Sequence, residues 1–115
     1  FIKEIVNKTG CGLLLDISNV IINHNNRGLD YWTYIDNFPL ENVKQVHLSG
    51  GDFDGNITID SHGQKVNLSD IEVLKEIYKR GYHIPAMIER DTNIPPFLDL
   101  EKERVQIERE LNGLS

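Results

Sequence analysis

Four short apolar runs in this chain each close on a side chain that can bind a metal or move a proton. They are Leu13-Leu14-Leu15-Asp16, Val46-His47-Leu48, Ile57-Thr58-Ile59-Asp60 and Ala86-Met87-Ile88-Glu89, with Ser61-His62 directly after the third. Carboxylate and imidazole together suit hard and borderline divalent metals. The same groups serve as general acids and bases. One such run would carry little weight. Four in succession predict a site at the C-terminal ends of parallel strands, the face on which α/β barrels gather their chemistry.

Each of these residues also has a plainer reading. Asp16 ends a buried-looking strand, where an ionised carboxylate is costly unless it is paired or metal-bound; the alternative is a helix-capping Asp. Asn19, three residues on, offers an amide oxygen as a further ligand, or is a simple loop residue. His47 lies between Val46 and Leu48 and is either a satisfied core histidine or a ligand level with Asp16. Asp60 and His62 are two apart, so in an extended segment both face the same side and could share one metal. Their bland counterpart is a surface turn before Gly63. Glu89 is followed by Arg90, which could contact metal or substrate; a buried Glu–Arg pair is the other possibility. His24 sits in an Asn-rich stretch from which it could approach the site. Cys11, at the far end of the first strand, reads as packing. No Gly-rich phosphate loop, nucleophile elbow or paired-Cys zinc motif is present.

These residues need elements to position them. Residues 1–10 read as the end of an amphipathic helix closed by Gly10, so the chain begins in mid-element, as a fragment would. Cys11 to Asp16 is an unbroken apolar run, the pattern of a strand covered on both faces. Ser18 to Gly28 reads as a polar loop. A short helix capped by Asp30 follows, from Tyr31 to Asn37. Val43 to Leu48 is the second strand, Ser49 to Asp52 a turn, and Ile57 to Asp60 the third strand. Ser69 and Glu72 form a capping box at the head of a helix ended by Gly81. Ile84 to Glu89 is the fourth strand, and a charged helix runs from about Phe97 to Leu111. Alternating strands and helices imply a parallel sheet. Four β/α units in one domain, residues 1–115, amount to half of an eightfold barrel of about 250 residues.

Composition narrows the function. A net charge of -6 disfavours a nucleic-acid partner, which would select clustered Lys and Arg. No apolar run approaches the roughly 20 residues that span a bilayer, so no membrane partner is expected. A single cysteine among 115 residues cannot form an internal disulfide, which fits a reducing, cytoplasmic setting.

Longer strings around these residues resemble a known family. Thr9 to Val20 (TGCGLLLDISNV), Val46 to Gly50 (VHLSG), Ile59 to Gly63 (IDSHG) and Ile88 to Pro95 (IERDTNIP) resemble, in order, the C-terminal half of the multinuclear non-haem iron-dependent oxidative enzymes, long catalogued as a domain of unknown function. The resemblance implies a TIM-type, xylose-isomerase-like (β/α)8 barrel with two or three irons. It also implies an oxidase that uses dioxygen to modify ribosomally made precursor peptides, often at cysteine, with a partner protein presenting the peptide. By that carry-over Asp16, His47, Asp60, His62 and Glu89 occupy metal-ligand positions, and Asn19 is a possible addition. Two departures stand out: Asn26-Arg27-Gly28 where the family has Asn-His-Gly, and Gly51 where it often has histidine. Because the family's N-terminal half supplies further ligands, these 115 residues alone are expected to be inactive. Two other readings stay open: a zinc-, magnesium- or manganese-dependent isomerase or hydrolase on the same barrel, and a non-catalytic half-barrel that associates with itself.

Overall fold

A computed structural model of the chain describes residues 1–54 and 57–112; the side chains of residues 52–62 lie outside that description. Among the described residues, helix α1 (Ile2–Thr9) leads to strand β1 (Leu13–Asp16), helix α2 (Ile17–Asn26) and helix α3 (Tyr31–Asn37). A 3-10 turn (Leu40–Asn42) precedes β2 (Val43–Leu48), and β3 (Gly50–Asp54) and β4 (Ile57–Gln64) follow. Helix α4 (Leu68–Lys79), strand β5 (Ala86–Ile88) and helix α5 (Phe97–Asn112) complete the order. Among the described residues, no helix is long and apolar enough to cross a membrane.

The central sheet is parallel, in the order β1-β2-β5. Its register sets Asp16 opposite His47 and His47 opposite Met87. The Glu89 N–H donates to the Leu48 carbonyl at 2.8 Å, extending the pairing one step past β5. Side chains alternate across a strand, and here the alternation separates two surfaces. Leu15, Val46 and Leu48 face the helices and are fully buried with Ile17, Val73, Leu74 and Ile77. On the opposite face Leu14 is 53% exposed and Met87 42%. The first strand is therefore covered on one face, not two. Its leucine run carries no alternation because the open face is apolar as well.

Three further expectations need correction. The stretch from Ser18 is helix α2: Ile17, Val20 and Ile21 recur at helical spacing and are buried, while the asparagines that suggested a loop lie mostly on its outer side. The third expected strand is not in the parallel sheet. It lies in β4, which pairs antiparallel with β3 through Asp52↔Ile59, Phe53↔Thr58 and Asp54↔Ile57. The parallel sheet among the described residues thus has three strands, not four. Alternating apolar residues such as Ile57 and Ile59 fit either kind of pairing, and Ser49 to Asp52, read as a turn, supplies the partner strand. Gly50 shows why a glycine begins β3: a Cβ there would stand 1.9 Å from the Lys65 carbonyl oxygen. Finally, α4 starts at Leu68 with Asn67 at its N-cap and no side-chain cap bond. Ser69 falls inside the first turn, so the expected capping box is not used. The helix ends as expected, with Gly81 at φ 97°, a left-handed geometry that glycine adopts freely.

Candidate metal edge at the strand ends

Strand parity decides which candidates can meet. Asp16 and His47 are paired in register on the open face, and Glu89, two residues past Met87, returns to that face. Here the His47 Nδ1 lies 2.5 Å from Glu89 Oε1, with the two side chains 14% and 23% exposed. A close imidazole–carboxylate contact fixes the ring's orientation and leaves Nε2 as its other polar atom. Asp16 takes the helix-capping role that was its plainer reading. It ends β1 on the face of His47, and its Oδ1 accepts the Asn19 N–H at 3.0 Å as the N-cap of α2. The strand passes into the helix with no linker.

The remaining candidates separate. Asn19 sits in the first turn of α2, where its side-chain oxygen accepts from Asn23 Nδ2 at 3.1 Å. His24 lies in the last turn of the same helix, about 12 Å along its axis from Asp16 by the 1.5 Å rise per residue. Its Nδ1 is 2.7 Å from the Val20 carbonyl, its ring lies against Tyr34 at 5.1 Å, and it lines an open groove of about 850 Å³ with Leu29, Tyr34 and Phe38. The structure does not bring His24 to the strand ends. Arg90 follows Glu89 but turns the other way, to α5. Its Nη2 is 3.6 Å from Glu103 Oε2, both side chains being about nine-tenths buried. This acid, Glu103 on α5, is one that the sequence reading did not name. Asp60 and His62 fall on β4, and their side chains lie outside the described residues.

Among the described residues, no three His, Cys, Asp or Glu side chains converge as a ready metal-holding group. What they do provide is an imidazole–carboxylate pair with a second carboxylate level with it. That donor set suits a borderline divalent metal such as iron or zinc.

The match to known proteins covers nearly the whole chain. Residues 1–112 match the family described as RiPP precursor modification enzyme MbnB/TglH/ChrH. The chain belongs to that family. Among curated relatives, a UPF0276 protein of Anaeromyxobacter sp. (strain Fw109-5) is 33% identical over 103 residues, 90% of this chain and 36% of its own length. A UPF0276 protein of Caulobacter vibrioides (strain NA1000 / CB15N) is 39% identical over 100 residues, covering 87% of this chain and 36% of the relative. One from Chromobacterium violaceum is 32% identical over 113 residues, 98% of this chain and 41% of the relative. The chain thus spans between about a third and two-fifths of the length of these relatives. The expected resemblance, drawn from the strings around Asp16, His47, Asp60 and Glu89, is correct at the level of the family.

Proposed function

We propose that this chain forms one edge of the metal centre of an iron- and dioxygen-dependent oxidase that modifies ribosomally made precursor peptides, often at cysteine. The observation that carries the reading is the His47–Glu89 pair at 2.5 Å, level with Asp16 at the ends of parallel strands, in a chain of a family of precursor-modifying enzymes. Asp16, His47 and Glu89 would hold the metal, joined by Asp60 and His62, with two or three irons in the complete barrel. Bound iron would supply the redox chemistry that couples dioxygen to oxidation of the peptide. The chain's own groups orient and insulate. The Glu89 carboxylate fixes the His47 ring, and Leu14 and Met87 present an apolar floor beside the donors on which a peptide side chain can lie away from water. Substrate would be the precursor peptide, presented by a partner protein.

Iron content and Mössbauer spectra after anaerobic reconstitution with Fe(II) test this reading. Binding by the parent chain that is abolished in His47→Ala and in Glu89→Gln is the expected result. Stoichiometric zinc or magnesium with no iron, or peptide-independent activity that persists without oxygen, would replace it by a divalent-metal isomerase or hydrolase. A chain that takes up no metal and dimerises through Leu14 and Met87 would replace it by a non-catalytic half-barrel.

A further inference from the structure

On the helix side of the sheet, a buried polar knot joins the ends of β1 and β2 to α4. Ser18 in the first turn of α2 and Asp70 in the first turn of α4 are wholly enclosed, and Ser49, just past β2, is nearly so. The Ser18 hydroxyl donates to Asp70 Oδ2 and lies 2.8 Å from the Ser49 carbonyl oxygen. The Ser49 N–H points at the same Asp70 oxygen, 3.5 Å away. The Ser49 carbonyl also accepts the Asn67 N–H at 3.2 Å. One carboxylate therefore ties together three elements that are 21 and 52 residues apart in sequence.

Its place along the strands gives the knot a purpose. Ser18 is two residues past Asp16, and Ser49 is two past His47. Burying a carboxylate costs several kcal/mol unless hydrogen bonds compensate, and an apolar residue would fill the same space without that cost. A carboxylate supplies direction instead, and its seat at the α4 N-terminus lies in a favourable field. We propose that Asp70 is a positioning residue for the metal edge: through Ser18 and Ser49 it holds the ends of β1 and β2, so that Asp16 and His47 stay level and His47 stays on Glu89. The inference rests on the reading of that edge as a metal centre, and its first readout does not need the metal.

The experiment compares Asp70→Asn, which keeps the shape and removes the charge, with Ser18→Ala, which removes the donor. Ile77→Val, a buried change two turns along α4, controls for general loosening. In the metal-free chain the ¹⁵N and ¹H signals of the His47 ring shift or broaden in the two knot variants and stay in place in the control. With Co(II) as the probe, affinity falls about ten- to a hundred-fold in the knot variants, the range seen when groups behind a ligand are removed. Ring signals and Co(II) affinity that match the parent in a folded knot variant would overturn the proposal. Should Asp70→Asn fail to fold by circular dichroism, Ser18→Ala, which deletes one oxygen, decides alone. A parent chain that takes up no Co(II) would refute the metal reading only, and the ring signals then judge the positioning role.

Discussion

Leu14 and Leu15 are neighbours of one residue type in one strand, and the fold predicts very different costs for removing them. Leu15 is 2% exposed and sits in the core with Ile17, Val46 and Leu74, whereas Leu14 is 53% exposed on the open face. Truncating Leu15 to Ala loses the transfer free energy of its buried carbons and leaves a cavity, together about 2–5 kcal/mol. A Leu side chain gains about 1.5–3 kcal/mol on full burial. Leu14 realises about half of its burial and leaves no closed cavity, so Leu14→Ala should cost about 1 kcal/mol or less. Urea unfolding followed by circular dichroism separates the two: with a slope of about 1–3 kcal/mol/M, Leu15→Ala lowers the midpoint by roughly 1–3 M and Leu14→Ala by well under 1 M. The comparison should be run at two protein concentrations tenfold apart. Equal losses for the two variants would refute the one-sided burial of β1. A Leu14→Ala cost that grows with protein concentration would show that a second copy covers the face in solution.

Breaking the Arg90–Glu103 pair should be far worse than removing it: Glu103→Gln leaves the guanidinium buried without its counter-charge and costs about 3–5 kcal/mol, while Arg90→Met with Glu103→Leu comes close to neutral. Thermal melts of the two single variants and the double variant would decide, and additive losses would contradict a coupled pair. On α5, Arg104 grips Glu101 with two hydrogen bonds of 2.6 and 3.0 Å, and that contact holds the Glu101 carboxyl below its ordinary pKa. A lowered carboxyl pKa contributes stability that is present above the ordinary carboxylate range and fades as pH falls through the lowered value. The Glu101 carboxyl ¹³C signal should accordingly titrate late on acidification, and in Arg104→Ala it should return to the ordinary range; an unchanged titration in the variant would count against the grip.

What the sequence revealed depended on how local the cause was. Strand β2, helix α3 and the Gly81 stop of α4 are legible because their signals lie within a few residues: Val43, Val46 and Leu48 in a short segment, an Asp30 cap, a glycine after a periodic stretch. Helix α2 was obscured because Asn19, Asn23, Asn25 and Asn26 carry the local statistics of a loop, while its burial of Ile17, Val20 and Ile21 is a tertiary effect that overrides propensity. Strand β4 was readable as a strand but not as antiparallel, since period-two alternation is common to both pairings. At the site, residue types and order pointed to Asp16, His47 and Glu89, and strand parity then brings His47 and Glu89 together. Arg90 could not be placed without α5, because its acid lies thirteen residues away on a helix whose docking nothing local encodes. The buried role of Asp70 was hidden for a related reason: in sequence it is one more acidic residue at a helix start.

The seamless joint at Asp16 has a consequence for how such chains can change over time. One residue closes a strand and opens a helix, so a single insertion or deletion there would turn the donor face of β1 toward the helices and rotate α2 by about 100° against its packing. Length drift must therefore be absorbed elsewhere, in the stretch between α2 and α3 or in that between β5 and α5. Aligned relatives should carry their gaps at those places and none between residues 13 and 22, a pattern of tolerated indels that marks the joint as the fixed datum against which the rest of the edge is laid out.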